Sequence, residues 1–335
     1  MKHIREVLKK RSSELRAKPH VVATGIGYKV THGRRTSTLA IVCSVDKKVP
    51  AYALTEDDLV PEMLDEMVTD VVEVGRIRAF AAVPKESTTD RIRPAPGGVS
   101  IGHIAITAGT LGCLVRKGGQ NFILSNAHVL ANSGDAQLGD PILQPGPYDG
   151  GILGRDTIAA LEDFVPINFE NPEPPSDCPF ASMVNWVLNL GCRLIGSKTR
   201  YRAVRPQAAE NLVDAALARP LMSLDVVDSV LGIGSISGIA PGSVGMAVRK
   251  SGRTTGVTSG TILQTDVTAQ VDYGGGRTAL FVDQLLTGPM SQGGDSGSVV
   301  VDNANRFVGL VFAGSDAVTI LNRSEHVLKA FGVTR

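Results

Sequence analysis

Residues 290–298 read MSQGGDSGS and run directly into VVV. Two glycines, an aspartate, a serine and a further glycine make a segment that can turn tightly, and the chemistry it offers rests on Ser296. A serine hydroxyl at neutral pH is a poor nucleophile. It needs a base beside it and donors aimed at the oxyanion that forms on attack. The backbone N–H groups of Gly294 and Ser296 can supply those donors if the chain bends sharply, and glycine permits the bend. Taken alone, the run is equally the turn of an ordinary loop.

The base must come from elsewhere in the chain. Of six histidines, His128 lies in ILSNAHVL, at the end of a predicted strand and among small residues that leave room for a ring. His103, in VSIGHIAI, reads as a satisfied core or edge histidine. A third group must hold the imidazole in its useful tautomer. Asp214, an acid set among apolar residues in ENLVDAALA, is the best placed. Asp156, Asp163, Asp225 and Asp228 are its rivals, and a capping role is the alternative for Asp214 itself.

LSNAHVL, VDAALA and GGDSGS, in the chain order His, Asp, Ser, resemble the signature segments of chymotrypsin-like (trypsin-fold) serine peptidases. KSGRTTGVTSGTI (250–262) resembles the stretch ahead of the serine loop in bacterial secreted members, and GLVFAG (309–314) the strand that lines the specificity pocket. The N-terminal part and a long insertion are similar to the narrow-leaf-type trypsin-like proteins of bacteria and plants. The resemblance implies two six-stranded β-barrels, with His128 and Asp214 on the first and Ser296 on the second. It implies a serine endopeptidase acting on a protein or peptide substrate. His128 would be the base, Asp214 its orienting group, and the Gly294 and Ser296 N–H groups the oxyanion hole. The alternatives are a catalytically silent binding module of the same fold and an esterase. Met290 stands six residues before the serine, where trypsins carry an acid, and Phe312, Ala313 and Gly314 would form the opposite wall of the pocket. An apolar P1 preference follows. The family's bacterial members also imply an internal cation beside Asp295. Arg249, Lys250 and Arg253 lie in the right segment, with Arg249 or Arg253 favoured. Ser298 stands where the family has glycine.

These groups need a scaffold of strands. A chain of 335 residues accommodates about two domains of roughly 150 residues each. Residues 1–97 read as a small α+β domain with a regulatory, pro-segment or assembly role. Ile4, Val7, Leu8 and Leu15 form one helical stripe, followed by strands at Val21–Val30, Thr38–Val45 and Val68–Val74. TEDDLVPEMLDEM reads as a helical patch with Thr55 as N-cap. RIRPAPGG (91–98) reads as an exposed linker open to nicking. Residues 98–335 alternate short apolar runs with Gly, Asn, Asp and Ser, the pattern of a mainly β barrel or sandwich domain. Lys117–Gln120 is its clearest hairpin turn, and SEHVLKAFG its terminal helix. An insertion at about 131–205 carries one short helix in CPFASMVNWVLNL.

Composition narrows the partners. Lys+Arg 34 against Asp+Glu 33 leaves a net charge of +1, which suggests neither nucleic acid nor an anionic membrane. The charged N-terminus is no signal peptide. Ser229–Val248 is uncharged over a bilayer's length, but its glycines and Pro241 favour strands and turns. A cytoplasmic protein is expected, with self-association left open. Cys43, Cys113, Cys178 and Cys192 form no CxxC pair. They read as buried thiols in preference to a Cys178–Cys192 bridge, and no metal or cofactor is expected.

Overall fold

The computed structural model describes residues 2–31, 34–77, 88–170, 178–194, 197, 199, 201 and 210–335. Helix α1 (Lys2–Arg16) buries the expected stripe of Ile4, Val7, Leu8 and Leu15. It packs these against Ile26, Ile41, Cys43 and Leu64. Strands β1 (Val21–Thr31) and β2 (Arg34–Val45) pair antiparallel, and β3 (Met67–Glu73) adds in parallel to β2. The acidic patch between β2 and β3 forms a single 3-10 turn, Glu56–Asp58, and not a longer helix. Thr55 does cap it, in a reciprocal capping box with Asp58. Pro61 follows closely, and a proline within a helix would both lose a hydrogen bond and clash with the preceding turn.

The next sheet contains β4 (Ser100–His103), β5 (Gly109–Thr110), β6 (Cys113–Lys117), β7 (Gln120–Ser125), β8 (Pro141–Leu143), β9 (Thr157–Phe164) and β10 (Ala216–Pro220), in the order β5–β4–β8–β9–β10–β7–β6. A one-turn helix, α2 (Ala127–Leu130), follows β7. The β6–β7 turn is the predicted one: Gly118 and Gly119 both take positive φ, as a tight hairpin of this hand requires. This sheet has seven strands where six were expected, because the short β4–β5 hairpin contributes a strand of its own. Helix α3 (Pro179–Leu194) stands between β9 and β10. The insertion is accordingly shorter than 131–205: β8 and β9 fall inside that interval and belong to the sheet. Residues 171–177 and most of 195–209 lie outside the described residues.

Six further strands close a ring: β11 (Ala247–Gly252), β12 (Gly256–Asp272), β13 (Thr278–Thr287), β14 (Val299–Asp302), β15 (Arg306–Gly314) and β16 (Thr319–Arg323). Their order is β13–β16–β15–β14–β11–β12, and β12 pairs back to β13. Val248, Ile262, Leu285, Val300, Val308 and Leu321 fill its interior. The chain ends in α4 (Ser324–Phe331), capped by Gly332 in the left-handed conformation.

The N-terminal unit is continuous with this second barrel. β12 is 17 residues long. Its first part pairs with β11, which leaves one edge of its second part open, and β1 occupies that edge with Ala23 opposite Ala269 and Gly27 opposite Gln264. Gln264 also donates to the Ser44 hydroxyl of β2 at 3.1 Å. An open strand edge invites pairing with other chains, and the N-terminal strands cover this one. The expected linker is likewise part of the body. Ala95–Gly97 is a buried strand paired in parallel with Val226–Val230, so this stretch is not exposed to nicking. Cys43 and Cys113 are buried as expected, and burial pushes both thiols up to about 12. Cys178, by contrast, is exposed and Cys192 only half-buried.

Candidate active site

His128 reaches the site on α2, a helix held to one turn because Asn132 and Ser133 turn left-handed just beyond it. Asp214 lies immediately before β10, between Val213 and Ala215, both buried in the core. The two meet across the first sheet. Asp214 Oδ2 lies 2.5 Å from His128 Nδ1, and Asp214 Oδ1 accepts the His128 backbone N–H at 3.1 Å. Grasped at both ring and backbone, the imidazole has one orientation. Asp214 is itself held at its backbone: its N–H donates to Asn322 Oδ1 at 3.0 Å, and its carbonyl accepts from Asn126 Nδ2 at 2.7 Å.

The sequence reading missed a further group. Tyr273, in the β12–β13 turn, donates its hydroxyl to Asp214 Oδ2 at 2.8 Å. Its ring meets the His128 ring edge-on at 5.9 Å and packs on Phe281, which in turn stacks on Phe312 at 4.7 Å. Burial, and then the charge of Asp214, hold the phenol well above its ordinary pKa, so it stays a donor. YGGGR carries no signal beyond that of a glycine-rich turn; only the fold brings it to the imidazole.

Ser296 comes from the second barrel. The loop before it turns through Gly294 at φ 93° and Gly297 at φ 91°. At Gly297 a side chain would also collide with the Ser125 hydroxyl and the Thr110 carbonyl, so glycine is required there on two counts. Among the described residues no hydrogen bond uses the N–H of Gly294 or of Ser296. Thr110 ties this loop to the first sheet: its N–H donates to the Ser296 carbonyl and its hydroxyl to the Gly294 carbonyl, both at 2.8 Å. Val129, next to His128, abuts Gly109, and so does the Ser296 carbonyl. Helix α2, which carries His128, and the serine loop therefore both abut the same two-residue strand. The Ser296 hydroxyl is 3.5 Å from the Phe312 carbonyl, and His128 Nε2 is buried with no hydrogen-bond partner among the described residues.

The carboxylate beside the serine fixes the loop. Asp295 is fully buried and accepts from Lys250 Nζ at 3.0 Å, Thr254 N–H at 2.9 Å, Thr255 N–H at 3.1 Å, Thr255 Oγ1 at 2.6 Å and Gln292 N–H at 3.0 Å. So many donors require an anion, and Lys250, equally buried, supplies the counter-charge. Burial lowers the Lys250 pKa from its ordinary value, and Asp295 works against that. The internal cation is thus Lys250, and neither favoured arginine. Alternation along β11 turns Arg249 the other way, to Asn305 Oδ1 at 2.6 Å. Arg253 binds Asp149 of the first sheet, with its Nε 2.9 Å from Asp149 Oδ2. Ser298 fits because its hydroxyl donates to the Asp295 carbonyl at 2.6 Å.

The pocket residues are only partly where the sequence places them. A groove of about 460 Å³ lies beside the serine loop, lined by Thr255, Thr258, Met290, Ser291, Gln292 and Asp316 among others. Met290 lines it, while its sulfur packs over Gly260 in the barrel core. Phe312, Ala313 and Gly314 do not line this groove. They are buried, with Phe312 and Ala313 facing the core shared by the two sheets. Three of the other histidines have structural partners: His103 lies 3.0 Å from Asp140, His326 2.7 Å from Asp283, and His20 2.8 Å from Asp46. Asp156, a rival for the orienting role, is taken by Arg91 and Arg155. Among the described residues no cluster of His, Cys, Asp and Glu could hold a metal ion.

No protein-family model matches the chain, and no curated protein does. Among solved structures it is similar to Cellulomonas bogoriensis chymotrypsin, at 16% identity and a TM-score of 0.43, over 71% of this chain and 96% of that one. It is similar to Thermobifida fusca Protease A, at 16% identity and 0.45, over 71% and 96%. The Nocardiopsis protease matches at 17% and 0.44, over 71% and 97%. The architecture itself is mainly β. A first sheet carries the histidine and the aspartate, and a closed six-stranded second barrel carries the serine.

Replacing Lys250 with Met leaves the Asp295 carboxylate buried and uncompensated. The variant is expected to lose about 3–5 kcal/mol of unfolding free energy, read from urea denaturation. Arg249→Met, which breaks only a half-buried contact, serves as the control and should lose far less.

Proposed function

We propose that the chain is a serine endopeptidase that cleaves peptide bonds through His128, Asp214 and Ser296. The observation that carries this reading is the doubly anchored His128–Asp214 pair on one sheet, beside a glycine-bent serine loop from the other. In the reaction, Ser296 turns its hydroxyl from the Phe312 carbonyl toward His128 Nε2, which has no other partner among the described residues. His128 accepts the hydroxyl proton as Ser296 Oγ attacks the substrate carbonyl, and returns it to the leaving amine. Asp214 and Tyr273 hold the imidazole and stabilise its positive charge. The N–H groups of Gly294 and Ser296 face the developing oxyanion. Water then repeats the sequence on the acyl-enzyme. An apolar P1 residue is preferred, since Met290 stands where a carboxylate would select a cation.

One observation favours a second reading, a silent module of the same fold. Ser296 is only 1% exposed, and among the described residues its hydroxyl makes no hydrogen bond with His128 Nε2. A fluorophosphonate probe separates the two. Labelling of the wild-type protein, lost in Ser296→Ala, is expected; no labelling of well-folded wild type would leave the binding module. Tyr273→Phe removes one hydrogen bond to a charged group, worth about 1.5–3 kcal/mol. It should lower kcat/KM by roughly 10- to 100-fold and the thermal midpoint by a few degrees. Cleavage of a P1-randomised peptide library should favour apolar residues. A dominant Arg or Lys preference would instead assign the pocket's charge to Asp316.

A further inference from the structure

Helix α3 is built in the opposite sense to a helix on a water-facing surface. From Phe180 to Leu190 its polar residues are Ser182, Asn185 and Asn189. At 100° per residue they fall on one narrow stripe, while the apolar residues sweep an arc of roughly 220°. Two of its three residues are the less exposed ones. Asn185 and Asn189 are half-buried, and Asn189 both donates to the Tyr201 carbonyl and accepts its N–H at 2.7 Å. The apolar arc faces outward, with Phe180 69%, Trp186 66%, Met183 56% and Val187 54% exposed. No helix residue with a described side chain is buried.

Charge indicates what covers this arc. In the sequence, the stretch from Cys178 to Ala209 holds Arg193, Lys198, Arg200, Arg202 and Arg205 and no acid, whereas the whole chain carries only +1. The near-neutral total that argued against an anionic membrane conceals a basic segment in an otherwise slightly acidic protein. At 1.5 Å per residue, the 16-residue helix is shorter than the roughly 30 Å apolar core of a bilayer. No described helix is long and apolar enough to cross a membrane. A broad apolar arc, a narrow polar stripe, cations that follow closely in the sequence and an exposed tryptophan fit the plane of a lipid surface. A self-association seam needs a narrower stripe.

We propose that α3 lies in the interface of an anionic bilayer, apolar arc down, and holds the catalytic body against the membrane. Trp186 is the chain's only tryptophan, so its emission reports the helix directly. With the full-length protein, vesicles of mixed phosphatidylglycerol and phosphatidylcholine should shift that emission to the blue and carry the protein down on sedimentation. Phosphatidylcholine vesicles should do neither, and salt at about 1 M, where charges are screened within roughly 3 Å, should release the protein. Met183→Asp with Val187→Asp should abolish sedimentation without lowering the thermal midpoint, because neither side chain packs on the body. Absence of shift and sedimentation with the anionic vesicles would overturn the proposal, as would undiminished binding of the double variant. A blue shift that rises with protein concentration in the absence of lipid, with a matching dimer mass, would assign the arc to a second copy instead.

Discussion

A carboxylate buried beside Ser296 is the constraint on which the serine loop depends. Moving a charged carboxylate out of water costs several kcal/mol unless its lone pairs are filled, and Asp295 fills them with Lys250, Thr255 and three backbone N–H groups. Each donor comes from a fixed place. Lys250 stands on β11, Thr254 and Thr255 follow it directly, and Gln292 belongs to the serine loop itself. Satisfying the acid therefore fixes the loop's path against the barrel wall, and the path sets where the Gly294 and Ser296 N–H groups point. Because the cation is a lysine from the barrel, this loop has its shape without any contribution from a chain terminus.

A second set of buried polar groups joins the halves. Thr110 donates twice to the serine loop and accepts the Arg253 N–H at 2.9 Å. The Arg253 side chain crosses to Asp149, which also accepts from the Ser100 hydroxyl at 2.5 Å. Each group leaves its partner uncompensated if it moves, so the seam resists sliding more than an apolar contact of equal area would. The relative position of imidazole and serine is inherited from this polar network. Packing contributes the aromatic column of Tyr273, Phe281 and Phe312, which runs from the face of the histidine ring to the strand that receives the serine hydroxyl.

The His128–Asp214 pair and the turn at Ser296 were legible because each residue sits in a short run whose types reflect local geometry: small residues beside the ring, apolar neighbours around the acid, glycines about the serine. Lys250 was harder. It lies among Arg249 and Arg253, and composition ranks arginine first, yet strand alternation decides which side chain faces inward. Tyr273 was illegible, since its role arises from a contact 59 residues away in sequence and not from its own turn. The insertion was drawn too wide because β8 is only three residues long, too short for a periodicity to register. RIRPAPGG suggested a linker by its prolines and glycine, although Gly97 is there because the Gly112 carbonyl approaches too closely for any Cβ.

The attachment of the N-terminal unit bears on what that unit can do. A removable pro-segment usually docks through a surface, and its loss leaves the core's hydrogen bonding intact. Here β1 and β2 extend the barrel's own sheet, and Ala23 belongs to the core shared with Phe281 and Phe312. Ser315 in the β15–β16 turn donates to the Val74 carbonyl, so the same unit also braces the loop that carries Asp316 to the groove. Cutting it away would strip β12 of a partner along the residues that also pair with β13, and would free the groove's acidic rim. The unit is thus part of the site's support, and a change in its packing would reach the groove through β12 and Ser315.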